Sequence, residues 1–186
     1  MTGPEERLNL VDEKGNIIGE ETRENIHIKG LLHREVHVWL YTPGGGIIFQ
    51  HRGSDKETFP NLLDASIGGH VGMGKDYEMA ALQEAEEETG MKLDKGKLVL
   101  AKTSRVRAYD SLKNKINNVL RATYIYPYEG EVRDLRIEEG EAVGFEVWPL
   151  EKFMNPPEEE KQRVIPGLLE EAGVEIAEKV KELIAS

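Results

Sequence analysis

The stretch QEAEEETG, residues 83–90, puts Glu84, Glu86, Glu87 and Glu88 into what reads as the last two turns of a helix stopped by Gly90. Acids are disfavoured at that end, by about 0.3–1 kcal/mol each, because a helix C-terminus carries partial negative charge. Residues three and four apart share a helix face, so Glu84, Glu87 and Glu88 project together while Glu86 points elsewhere. Three carboxylates on one side suit a hard divalent cation with oxygen ligands, magnesium or manganese. The competing reading is a solvated acidic face, the ordinary fate of a charge run.

The acids need a scaffold, and the flanking residues suggest one. Asp76 suits the N-cap of a helix over 77–89, with Gly90 in the left-handed conformation behind it. Residues 8–12 and 16–19 read as a hairpin around Lys14 and Gly15. Strands are expected over 33–42, with Val36, Val38 and Leu40 on one face, and over 47–52, 98–109, 118–126 and 144–150. Residues 53–75 read as loop with a short strand near 64–68. After Pro156 and Pro157, the apolar spacing predicts C-terminal helices over 158–186, divided at Pro166 and Gly173. Strands outnumber helices without regular βαβ alternation. The expected class is α+β, a mixed sheet flanked by helices.

Composition narrows the function. At 186 residues the chain suits one domain. With no cysteine, thiolate zinc sites and a cysteine nucleophile are excluded. The formal charge of −11 argues against nucleic acid as a partner, and an anionic substrate would need a mediating cation. No basic-then-apolar leader opens the chain and no apolar run reaches membrane-spanning length, so a cytoplasmic protein without a membrane partner is expected. A homodimer is left open, since the C-terminal helices could cover the sheet or meet a second copy.

Residues 68–91, GGHVGMGKDYEMAALQEAEEETGM, resemble the Nudix box, G-x5-E-x7-R-E-U-x-E-E-x-G-U, where U is bulky and apolar. Without gaps, Gly69 takes the first glycine, Glu84 the acid after the arginine, and Glu87 and Glu88 the paired acids, with Gly90 and Met91 closing. The resemblance implies a Nudix fold, a mixed β-sheet sandwiched between helices, in one domain over 1–186 with 1–32 as an N-terminal hairpin extension. It also implies a magnesium- or manganese-dependent attack of water on a small-molecule diphosphate, such as a nucleoside diphosphate derivative. Glu84, Glu87 and Glu88 would be metal ligands with the Gly68 carbonyl beside them, and Glu84 or Glu87 would take the proton of the attacking water. Lys75 and Gln83 depart from the box, standing where the family has glutamate and arginine. These departures keep a second reading open, a Nudix-fold binding protein with weak turnover.

Beyond the box, roughly residues 8–150 are similar to the isopentenyl diphosphate isomerase-like branch, through the LH at 32–33, the Arg52–Lys56–Pro60 loop and the GH at 69–70. In that branch Arg52 and Lys56 match residues that grip the diphosphate. Gly68 stands at the isomerases' catalytic cysteine, and Ile116, Asn117 and Asn118 lack their acids, so isomerase activity is not expected. His33 and His70 match metal-binding histidines of the isomerases, and His27 falls near a third. With the acids missing, the expectation is satisfied or exposed histidines rather than a metal site. Glu139 and Glu141 could add an acid from outside the box, though EEGE reads more safely as a solvated turn. Tyr109, Tyr124 and Trp148 could stack on a base but are expected in the core.

Overall fold

A computed structural model describes residues 6–56 and 58–185. The first five residues of the N-terminal extension lie outside that range. β1 (Arg7–Val11) and β2 (Ile17–Thr22) pair antiparallel, close to the expected hairpin. Next comes α1 (Arg23–Lys29), which Thr22 caps by accepting from the Asn25 amide and which Gly30 ends at φ 62°. Its 7 residues are too few for apolar periodicity to betray it in the sequence.

The remaining elements are β3 (His33–Tyr41), β4 (Ile47–Arg52), β5 (Leu63–Asp64), β6 (Ile67–His70), α2 (Tyr77–Thr89), β7 (Val99–Asp110), β8 (Lys115–Pro127), β9 (Ala142–Trp148), α3 (Leu150–Met154), α4 (Glu158–Lys161) and α5 (Leu168–Ile184). The single short strand expected near 64–68 is two, β5 and β6. Along the sheet the order is β5-β4-β3-β8-β7, with β6 on β3 and β9 on β4. β3 and β8 run parallel while the other pairs are antiparallel, so the sheet is mixed as expected.

Both sheet faces are covered. Val36, Val38 and Leu40 pack with Ala80, Ala81 and Ala85 of α2. On the opposite face Trp39, Tyr41 and Phe49 meet Phe153 of α3 and Ile176, Ala177 and Val180 of α5. β3 is thus buried on both sides, whereas its alternation indicated only one. α5 also corrects an expectation, because it runs unbroken through Gly173. A helical glycine costs about 1 kcal/mol against alanine. Full burial of three apolar side chains, at about 25 cal/mol per Å², outweighs that cost. α5 therefore covers the sheet, the first of the two roles left open for it. Among the described residues no helix is long and apolar enough to cross a membrane.

One irregularity positions the site. β3 pairs with β4 in register only at Tyr41–Ile47, and then turns to β6 over Glu35–Val38. β4 turns instead to β5 at Gln50 and His51. In the fork between them the buried Ser66 hydroxyl accepts from the Leu40 amide at 2.8 Å and donates to the Ile48 carbonyl.

Candidate active site

α2 forms as expected. Asp76 accepts from the Met79 amide at 2.8 Å, and Gly90 closes the helix at φ 72°. Its three buried alanines seat it on the sheet, which turns the acids toward the fork. Glu88 is buried and accepts from Gln50 Nε2 at 2.9 Å, with the Gly68 N–H aimed at the same oxygen at 3.4 Å. Glu84 lies flat on Gly69, where a Cβ would overlap its carboxylate. The exposed Glu87 accepts from Gln83 Nε2 at 2.7 Å, and Lys75 donates to Gln83 Oε1. Lys75 thus meets Gln83 rather than Glu84 or Glu78. Arg136 Nη2 donates to the Glu87 carbonyl at 2.6 Å and Lys92 pairs with Glu86, which offsets charge at the helix C-terminus.

All six residues expected at the site, Arg52, Lys56, Gly68, Glu84, Glu87 and Glu88, line one cavity of about 620 Å³. Glu141 lines it too and pairs with Lys56. EEGE forms the turn expected of it, with Glu139 exposed and 34% of the Glu141 side chain exposed at the cavity edge. Arg52 is already engaged by its own loop. It donates to Asp64 at 2.7 Å, to the Thr58 carbonyl at 2.9 Å and to the Phe59 carbonyl at 3.2 Å. Each cation borders the cavity while holding a protein partner.

Crowded acids do not ionise as isolated ones do. Burial, with Glu87 and Glu141 nearby, pushes the Glu84 carboxyl up to about 7. Burial also pushes Glu88 well above its usual range, reinforced by Glu84 and Glu141. Glu84 and Glu88 therefore hold their protons more tightly than free glutamates do. A bound cation would favour the carboxylates. The donors are all oxygen, the chemistry that magnesium or manganese takes, and they line one cavity, although among the described residues only His27, His33 and His70 bring three ligand atoms within 4.8 Å of one another.

The cavity floor is a buried polar row. Arg121 grips Glu35 at 2.6 and 2.8 Å. His37 stands 3.8 Å from Glu35 and 4.0 Å from Asp64, which leads on to Arg52. Burial alone would raise Glu35, but the Arg121 guanidinium outweighs it and holds the carboxyl well below its usual range.

His27, His33 and His70 come together, with candidate ligand atoms within 4.8 Å of one another. His33 and His70 are neither exposed nor fully satisfied, because His33 Nε2 and His70 Nε2 are buried without a hydrogen-bond partner among the described residues. Burial lowers both of those imidazoles, His70 strongly, and a neutral ring keeps the lone pair that a metal requires. The expectation for these histidines is thus overturned in its premise. As a set of nitrogen donors they could hold zinc or another transition metal. Tyr124 and Trp148 are buried as expected, whereas Tyr109 is exposed and bonds Asn114.

The NUDIX domain description matches residues 31–167. The chain belongs to the Nudix family. An uncharacterized Nudix hydrolase of Streptomyces coelicolor is 41% identical to this Nudix chain over 90 residues, 48% of this chain and 50% of that protein. One from Clostridium acetobutylicum is 29% identical over 157 residues, 81% of this chain and 75% of that protein. The match thus spans about half the length of the Streptomyces relative. The crystal structure of DR0079 from Deinococcus radiodurans superposes with a TM-score of 0.65 at 23% identity, covering 95% of this chain and 98% of that one. Together these establish a Nudix fold, α+β, with a mixed sheet between helices. Gln50, Glu35, Arg121 and Phe59 border or support the Nudix site without having been singled out in the sequence. Only Gln50, a polar residue in an otherwise apolar IIFQ strand, carried a local signal.

Proposed function

We propose that this protein is a pyrophosphohydrolase that uses magnesium or manganese to cleave a diphosphate linkage in a small molecule, a nucleoside diphosphate derivative. The observation that carries this reading is the meeting of Glu84, Glu87, Glu88 and Glu141 with Arg52 and Lys56 at one cavity. Glu84, Glu87 and Glu88, with the Gly68 carbonyl, would hold the metal. The metal, when bound, offsets diphosphate charge and acidifies water. Gln50 and the Gly68 amide hold one oxygen of Glu88 in place, and Gln83 holds Glu87. Glu84, raised to about 7, suits a base at neutral pH, and Glu87 is the alternative acceptor. Water oxygen bonds to phosphorus, its proton passes to the carboxylate, and the bridging oxygen leaves with the second phosphorylated product. Arg52 and Lys56 would bind the diphosphate with the donor capacity that Asp64, the loop carbonyls and Glu141 leave over. The acting unit is read as one domain over 1–186, because Leu8 of β1 bridges to Gly72 beside the box and α5 supplies core residues.

Within the family we place the chain near the isomerase-like branch but outside its isomerases. Any side chain at position 68 would begin 3.0 Å from His37 Cδ2, and Asn118 is spent on the Gly30 carbonyl at 2.9 Å. The second reading, a binding protein with weak turnover, draws on Lys75 and Gln83. Because those two residues satisfy each other and steady Glu87, hydrolysis is favoured.

The test is phosphate-product release from nucleoside diphosphates and their sugar derivatives with magnesium, manganese or chelator. Metal-dependent turnover lost in Glu87→Gln is expected. Turnover that survives chelator would defeat the metal assignment. Restoring the family pattern with Lys75→Glu and Gln83→Arg should leave turnover within about tenfold if the altered pair works as it stands. A much larger gain would favour the binding-protein reading.

A further inference from the structure

Lys56 and Glu141 meet at the cavity because the backbone brings their segments together. The Gly53 amide donates to the Glu141 carbonyl at 2.9 Å, and Arg52 stands in register with Ala142. Any side chain at position 53 would begin 3.1 Å from the Gly140 carbonyl, so the loop that carries Lys56 lies directly on the turn that carries Glu141. The Lys56 ammonium then pairs with Glu141 Oε2. Only 12% of the lysine side chain is exposed against 34% of the glutamate, so the glutamate is the outer member of the pair.

This pair differs from the others at the cavity. Arg52 holds Asp64 and two carbonyls, and Arg121 holds Glu35 with two nitrogens, so each guanidinium is fixed at several points. Lys56 has no partner but Glu141 among the described residues. One contact at the end of a flexible four-carbon stem can be exchanged for another anion, whereas a fork held at several points resists exchange.

An anion that enters the cavity thus finds its lysine already taken. Glu141 also lies within electrostatic reach of the helix acids. Burial pushes Glu88 up, Glu84 and Glu141 add to the shift, and Lys56 opposes it. A bare diphosphate must displace Glu141 from Lys56 and leave that carboxylate beside Glu84 and Glu88 without its counter-charge. A diphosphate that arrives with a divalent cation brings the counter-charge with it.

We propose that Glu141 is a specificity-determining residue of this site: it competes with bare anions for Lys56, so that the cavity takes a diphosphate together with its divalent cation and refuses the free anion. The inference rests on the reading of Lys56 as a diphosphate ligand, and it adds the residue that decides in which form the substrate is taken.

Calorimetry on the full chain tests this with methylenediphosphonate, which is not cleaved at its bridge, in chelator and in magnesium. The wild type should bind the probe at least about tenfold more weakly in chelator. Glu141→Gln should gain about fivefold in chelator, the worth of one partly exposed ion pair, and so narrow the ratio between the two conditions. Glu138 also lines the cavity and pairs with no cation among the described residues, so Glu138→Gln removes the same charge without releasing a lysine. It should change binding by less than about twofold. Lys56→Gln added to Glu141→Gln should abolish the gain. Glu141→Asp keeps the charge but withdraws it from the ammonium, and a gain there carries the test if Glu141→Gln does not fold. No gain on releasing Lys56, an equal gain in Glu138→Gln, or a gain that survives Lys56→Gln overturns the proposal. Lys56→Gln alone judges the underlying reading, because it should weaken the probe about fivefold in magnesium. If it does not, Lys56 is no diphosphate ligand and the proposal falls with that reading.

Discussion

Glu84→Gln is expected to lower kcat/KM on the productive diphosphate by about 10²–10⁴-fold, the usual worth of a positioned base. The carboxylate lies on Gly69, so an isosteric amide should keep the packing while losing both charge and basicity. The pH profile separates this role from a steric one. The ionised form accepts the proton, so wild-type kcat/KM at low metal should climb with pH and level off above about 7, the value of the Glu84 carboxyl. In Glu84→Gln that limb should vanish. Stability follows the opposite sign. Because the folded value stands above the ordinary 4.5, the group's contribution is full below 4.5 and is lost as pH rises through about 7 without metal. Added magnesium should reverse that loss, since it favours the carboxylate. A Glu84→Gln enzyme with undiminished turnover and an unchanged profile would transfer the base role to Glu87.

Arg121→Met should destabilise the fold by about 3–5 kcal/mol at pH 7, the cost of stranding one partner of a buried pair. Both side chains of the Arg121–Glu35 pair are nearly inaccessible, so solvent cannot replace the lost guanidinium. For a chain of this size the midpoint of melting should fall by about 10 °C or more. The pH dependence again fixes the cause. Glu35 is held below its ordinary 4.5, so its contribution is present above 4.5 and lost as pH falls through the folded value. The variant's deficit should therefore shrink in acid, where Glu35 can protonate. Adding Glu35→Gln to Arg121→Met should recover most of the loss, because no buried charge remains unpaired. A deficit independent of pH, and not recovered in the double variant, would mean that Arg121 acts through packing alone.

Local rules carried much of this structure. The cap at Asp76, the stop at Gly90 and the shared face of Glu84, Glu87 and Glu88 are set within one helix, so spacing alone reveals them. What spacing did not reveal depends on long-range contact. Gln50 reaches Glu88 across 38 positions, Arg121 reaches Glu35 across 86, and Lys56 reaches Glu141 across 85. Glu141 is the turn residue that its polar neighbours indicate, and only the folded chain brings that turn to the acids. The upward shifts of Glu84 and Glu88 are hidden from spacing for the same reason, since burial and like charge are tertiary properties. α5 passed through Gly173 because burial of one face overrode a local preference. The three histidines were visible singly, but their convergence depends on β3, β6 and α1 packing together.

The fork between β3 and β4 separates inheritance of shape from inheritance of chemistry. Where the strands part, neither supplies ladder partners to the other, and Ser66 closes the gap with one hydroxyl. Side chains at the mouth of the fork, such as Arg52 and Glu88, are held by other side chains and loop carbonyls rather than by the shared register of β3 and β4. Substitutions there can change the ligand without unzipping the sheet. A lineage built on this frame could exchange one diphosphate for another through a handful of replacements while the scaffold passes on unaltered.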